Sequence, residues 1–152
     1  MEKSDLLWSL YLSEREFIKH HENQRTNASN ILGAIAAGLI VALGTDKLVQ
    51  EVQLIIAVLL MILGIFGYTF CAKLYALMKL HAERSYQYLA VLDKEIAAVQ
   101  IAGLKKVADK KYKDRFSFFS KIQLNKIWGS LHLSIFLVGV IFFALNIFKI
   151  VS

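Results

Sequence analysis

Apolar side chains gather in three long runs along this chain, and the stretches between them place apolar residues three and four positions apart. The runs free of charged residues are Thr26 to Thr45, Val52 to Ala72 and Ile127 to Phe148. Each is close to the roughly 20 residues that a helix needs to cross the hydrocarbon of a bilayer. In "VQLIIAVLLMILGIFGYTFCA" and "IWGSLHLSIFLVGVIFFALNIF" the apolar character is sustained throughout. The first run is shorter in its purely apolar part, Ile31 to Gly44, which is about 14 residues and therefore about 21 Å of helix against a core near 30 Å. To span, it must draw in Asn27, Ala28, Ser29 and Asn30.

The flanking segments predict helices that continue these spans. Before the first run, Leu6, Leu7, Leu10, Phe17, Ile18 and His21 share one side at helical periodicity. Nothing breaks the helix before the membrane, because the chain contains no proline. After the second run, Leu74, Met78, His81, Ser85, Tyr88, Leu92, Ile96 and Val99 form a heptad-like seam. The expected packing is a long antiparallel helical hairpin. Ala102 to Arg115, "AGLKKVADKKYKDR", predicts a basic hinge with Gly103 near its start. Beyond it, Phe116, Phe119, Ile122 and Trp128 beside Lys121 and Lys126 predict an interfacial helix leading into the third span. The expected organisation is thus residues 1–101 (N-terminal helix, two-span hairpin and extension), 102–115 (hinge) and 116–152 (interfacial helix and third span).

Composition supports an all-α integral membrane protein with three transmembrane helices and cytoplasmic helical extensions. The 152 residues are 57% hydrophobic with mean hydropathy +0.50, above the roughly 45–50% apolar content of soluble domains. Met1 to Leu12 lacks the basic start and apolar run of a cleavable signal peptide, so insertion of the intact chain is expected. One cysteine, Cys71, excludes an intrachain disulfide.

Charge sets the expected orientation. Lys3, Arg15, Lys19 and Arg25 lie before the first span, only Lys47 lies between the first two, twelve cations lie from Lys73 to Lys126, and Lys149 stands alone after the third. Basic segments stay on the cytoplasmic side. The N-terminus and middle segment are therefore expected inside, with Thr45 to Glu51 as an external turn and the C-terminus outside. The formal net charge of +6 then describes a basic face apposed to anionic lipid, and nucleic acid is not an expected partner.

The first helix carries the main candidate chemistry. At 3.6 residues per turn, Glu16, His20, Asn23, Asn27, Asn30, Ala34 and Ala37 fall in one stripe with Gly38 at its edge, while Leu32, Ile35, Leu39 and Leu43 lie opposite. A small face permits close approach of another helix, and polar side chains bond across helices in lipid. Polar residues within a membrane also mark cavities and pathways. The stripe therefore reads either as a helix contact, within the chain or with a neighbour, or as the lining of a water-filled opening built by symmetry copies.

Other features carry less. Lys105, Lys106, Lys110, Lys111, Lys113 and Arg115 read as solvated charge near anionic headgroups, each worth about 1 kcal/mol of lipid attraction. An anionic-ligand pocket is the alternative, unsupported by any glycine-rich phosphate loop. His20, His21, His81 and His132 show no metal-ligand spacing, so no metal and no cofactor is expected. His132 is expected to bond to a neighbouring helix or headgroup, and Gly64, Gly67 and Gly139 to be helix contacts. Arg15 and His20 form an R-x4-H pattern that resembles the short motif of HEPN-type ribonucleases; that resemblance implies an RNA-cleaving site made where two copies meet. No acid–base or nucleophile constellation stands out, so an enzyme is not expected.

The arrangement of "EREFIKHHENQRTNASNILGAIAAG" and the helix following Cys71, over residues 4–100, resembles the bacterial SLATT-type small membrane effectors. That family has a helix entering the membrane, a tight two-span hairpin and a cytoplasmic helical extension; the third span here departs from it. The resemblance implies a pore-forming effector of antiphage defence, gated by a separate sensor. The leading expectation is an oligomeric pore lined by the first helix. The alternative is a non-conducting anchor that recruits a cytoplasmic partner, and the remote one is a membrane-tethered ribonuclease.

Overall fold

The computed structural model describes residues 2–45, 48–96, 101–121 and 123–151. Among them there are four α-helices and no strand: α1 (Lys3–Leu43), α2 (Gln50–Glu95), α3 (Ile101–Arg115) and α4 (Leu124–Val151), with a single 3-10 turn at Phe119–Lys121. α1, α2 and α4 are each long and apolar enough to cross a membrane. Lys47, Val99 and Ile122 lie outside the described residues, as do the side chains of Phe119 and Lys149.

The continuity expected of the first two helices is observed. α1 runs 41 residues and α2 runs 46, each joining an amphipathic segment to an apolar one without interruption. Gly44 and Thr45 close α1: the Gly44 amide donates to the carbonyls of Ile40 and Val41, and the Thr45 hydroxyl donates to Ala42 at 2.8 Å. Those bonds satisfy carbonyls that a helix end otherwise leaves without partners.

Residues 101–115 form a helix, α3, where a hinge was expected. The local chemistry explains it. Ala, Leu, Lys and Arg are good helix formers, and Gly103 sits in the first turn, where its cost is small. The carboxylate of Asp93 accepts from the Ile101 amide at 3.0 Å and so satisfies one open donor at the helix start. The expected interfacial helix at Phe116 is instead a turn over residues 116–118 followed by the 3-10 segment, and α4 starts at Leu124.

Packing divides the chain into two compact units that cut across the linear division at residues 101 and 115. The first unit comprises Met1–Asn23 and Leu74–Gln123. In it, Ser4, Leu7, Tyr11, Glu14, Ile18 and His21 are the partly covered residues of α1, spaced three and four apart. They meet the seam of α2, where Leu74, Ser85, Leu89 and Leu92 are buried and Met78, His81 and Tyr88 are half-buried. Ile96, assigned to that seam, is exposed. The pairs Lys3–Glu95 and Glu14–His81 make the two helices antiparallel. Leu6, Leu10 and Phe17 are exposed, so the inward side of α1 differs from the apolar side read in the sequence. The reason is Glu14. It occupies an inward position and is hydrogen-bonded there to His81 at 2.6 Å, with only 12% of either side chain exposed.

The second unit comprises Gln24–Lys73 and Leu124–Ser152. Its apolar core is Ala36, Leu43, Ile56, Leu60 and Ile135, joined by Leu39, Ile40, Val138 and Phe142. α2 and α4 approach through glycines, as expected. A Cβ on Gly64 would stand 2.6 Å from the Phe136 backbone nitrogen, and one on Gly139 would stand 2.8 Å from the Ala57 carbonyl. A Cβ on Gly67 would overlap the His132 ring. Small residues that admit a second backbone are the usual means by which helices associate in lipid, where burial of apolar surface gives no drive.

Gly64→Ala is therefore expected to destabilise the purified protein by about 1–3 kcal/mol, the usual cost of overpacking. Gly33→Ala has open space around the added methyl and gains up to about 1 kcal/mol of helix propensity. Unfolding curves in mild detergent check this, and equal destabilisation by both substitutions would refute the close-packing assignment.

Candidate functional site

Two groups of polar side chains lie on α1 within the second unit, and they face opposite ways. Arg25 and Ser29 point inward, with 2% and 1% of their surface exposed, in register with buried Ala36 and Leu43. Asn27, Asn30, Ala34, Ala37 and Gly38 are all exposed. The two faces are about 160° apart at 3.6 residues per turn. No atom of another residue lies within 4 Å of the position a Cβ would take on Gly38. Of the residues predicted to lie opposite the stripe, Leu32, Leu39 and Leu43 do turn inward, whereas Ile35 is exposed. The remaining members of the predicted stripe, Glu16, His20 and Asn23, belong to the first unit and are exposed as well. All eight members of the stripe are thus exposed, and Asn27, Asn30, Ala34, Ala37 and Gly38 lie outside the packed face of their own unit.

The inward face builds a polar clamp. The Ser29 hydroxyl lies 3.0 Å from His132 Nε2 and 3.3 Å from Cys71 Sγ. One side chain from each of α1, α2 and α4 therefore meets at a single point, and Ser29, Cys71 and His132 are all buried. Gly67 makes room for the imidazole, since any side chain there would displace it. Which atom donates between Ser29 and His132 follows from the imidazole tautomer. The expectation that His132 bonds to a neighbouring helix is met. Ser29 and Arg25 were not singled out as inward residues; the signal that finds them is the three-and-four spacing of Arg25, Ser29, Leu32, Ala36, Leu39 and Leu43.

A serine beside a histidine invites comparison with nucleophilic catalysis. In that chemistry a carboxylate holds the far imidazole nitrogen and fixes the tautomer. Here His132 Nδ1 is buried with no hydrogen-bond partner among the described residues, and the serine is closed to solvent. The arrangement is fitted to holding three helices together. A second polar link lies toward the other end of the same unit, where the Gln50 side-chain amide donates to the Asn146 carbonyl at 2.8 Å and the Asn146 amide donates to Phe142 at 2.9 Å.

In the first unit, His81 gathers several groups. Its Nδ1 bonds Glu14, Phe17 stacks on it at 5.0 Å, and His21 tilts against it at 5.3 Å. No cluster of three or more metal-ligating side chains occurs among the described residues. Arg15 and His20, the R-x4-H pair, are both exposed and stand on different faces of α1, about 140° apart.

The basic residues all sit on or beside α3. Lys105 is half-buried with its ammonium 3.6 Å above the Tyr86 ring, a cation–π contact that ties α3 to α2. Lys106, Lys110, Lys111, Lys113 and Arg115 are exposed. Lys105 and Lys106 border a shallow groove of about 290 Å³ with Tyr86, Leu89, Ala90 and Asp109. The Asp109 carboxylate on its rim opposes the two cations, so the groove is not specifically suited to an anion.

No family model, curated protein or solved structure matches the chain.

The clamp has a measurable signature. In a double-mutant cycle, Ser29→Ala and His132→Ala should couple by about 0.6 kcal/mol, the average for hydrogen bonds between membrane helices, and by no more than about 1.7 kcal/mol. Additive destabilisation would show that the two side chains do not act on each other.

Proposed function

We propose that this protein is a multi-pass membrane protein that assembles into a symmetric ring, with α1 of each copy facing a central water-filled pore. One observation carries the reading. α1 has too short a purely apolar stretch to cross hydrocarbon on its own, and the polar residues that complete its span, Asn27 and Asn30, are exposed on the side turned away from the chain's own core. In lipid a polar side chain needs a partner. Ser29 has one inside the molecule; Asn27 and Asn30 need protein or water from outside it. Copies arranged about an axis supply both, since closed symmetry is how most identical chains assemble.

The small residues Ala34, Ala37 and Gly38 continue the same face and let neighbouring helices approach closely. Glu16 and His20 would lie toward the mouth on the N-terminal side, and asparagine, being neutral, confers no charge selectivity along the lining. The distribution of Lys and Arg supports a cytoplasmic N-terminus and middle segment and an external C-terminus, and the resemblance to bacterial SLATT-type effectors supports a bacterial inner membrane. The resemblance to SLATT-type effectors supports a role in antiphage defence, in which a cytoplasmic sensor opens the pore and ion gradients dissipate.

A non-conducting anchor that recruits its partner through the helix after Cys71 is the second reading; there Leu92 is occupied by the chain's own packing, while Ile96 is exposed.

Asn27 and Asn30 changed together to Leu should abolish ion leakage from proteoliposomes while the size of the purified assembly stays the same. Undiminished leakage would refute the lining role of α1.

A further inference from the structure

α3 is a helix that its own chain barely covers. Leu104 is 67% exposed, and Val107 and Tyr112 are more than half exposed. At 3.6 residues per turn these three, with Ala108, fall within an arc of about 140°, and Lys105 and Lys110 stand at its two edges. Six basic side chains accompany only two carboxylates, Asp109 and Asp114, over residues 101–115. The arc is therefore apolar with two cations, Lys111 and Arg115, within it, while Lys106 and Lys113 lie on the opposite side of α3. Lys111 and Arg115, which lie along the apolar arc, have long apolar stems that reach outward from such a position.

A helix rich in Lys and Arg whose side turned away from its α2 contact exposes apolar residues matches the composition of helices that lie in the plane of a bilayer surface. The surface is within reach. About eight residues separate Arg115 from Leu124, at most about 30 Å of extended chain, and Leu124 opens a helix long and apolar enough to cross a membrane. Phe116 and Phe118 in the intervening turn are exposed too, an aromatic content typical of the headgroup region.

We infer that α3 docks on an anionic lipid surface, with Leu104, Val107 and Tyr112 inserted among the acyl chains and Lys110, Lys111 and Arg115 held by lipid phosphates. Charge complementarity selects the occupant: a zwitterionic surface offers the apolar contact without the net attraction, and a soluble anion offers the attraction without the apolar contact. This role rests on the membrane placement of α4 and is independent of the pore.

The test uses the full chain carrying Cys71→Ala, with Val107→Cys for one nitroxide label and Lys113→Cys for another, reconstituted in nanodiscs. The readout is protection of the label from a water-soluble relaxation agent relative to oxygen. In discs with about one third phosphatidylglycerol, the label at 107 should be protected several-fold while the label at 113 stays wet. In pure phosphatidylcholine, with or without inorganic phosphate, protection at 107 should be lost. It should also be lost in anionic discs when Lys110, Lys111 and Arg115 become Gln, a change that preserves helix propensity. A label at 107 that is wet in both lipids overturns the inference. So does one protected equally in both, since that means protein cover. Displacement of α3 from anionic discs by added RNA would likewise overturn it in favour of a nucleic-acid surface. None of these outcomes affects leakage through α1, so failure here is separable from failure of the pore.

Discussion

Hydrocarbon supplies neither donors nor acceptors, and each polar side chain in a membrane-spanning helix must find its partner in protein or trapped water. On α1 this constraint sorts the polar residues into two sets. Ser29 turns inward and is satisfied by Cys71 and His132. Asn27 and Asn30 turn outward and are exposed. The same helix thus carries one polar set packed within its unit and another left on its outer face. A uniformly apolar helix would have neither.

Close helix contact in the second unit depends on residues without side chains. Gly64, Gly67 and Gly139 let α2 and α4 approach until backbone meets backbone, and the space at Gly67 is filled by the His132 ring. The notch and the polar clamp are one device: the glycine positions the imidazole, and the imidazole reaches the serine. In the first unit the packing is of another kind. There Glu14 and His81 form a hydrogen-bonded pair within a mostly apolar seam. Removing one partner of such a pair leaves the other buried without compensation, which costs more than the pair itself contributes. That pairing favours a single register of α1 against α2.

Much of this was legible in residue spacing. The uninterrupted helices follow from the absence of proline, the three candidate spans from uncharged length, and the glycine contacts and the bonded His132 from what lipid demands of such residues. The inward side of α1 was harder to read. Hydrophobicity points to Leu6, Leu10 and Phe17, which are exposed, while Glu14 and Ser29, which hydrophobicity places outside, face in. Their burial depends on partners far along the chain, at positions 81 and 132, and local periodicity carries no information about a partner 67 or 103 residues away. The lysine-rich stretch misled for a related reason. Density of charge suggested an open hinge, but lysine is a good helix former, and α3 is secured at its start by Asp93 and along its side by Tyr86.

Cys71 is the chain's one thiol, and it lies against Ser29 at the point where α1 and α2 meet in the second unit. Reaction with an alkylating reagent requires an accessible thiolate, and closed packing denies the access. The molecule therefore carries an intrinsic clock for its own breathing. The rate at which Cys71 is modified counts the moments when α1 stands off from α2, without any added probe or engineered site.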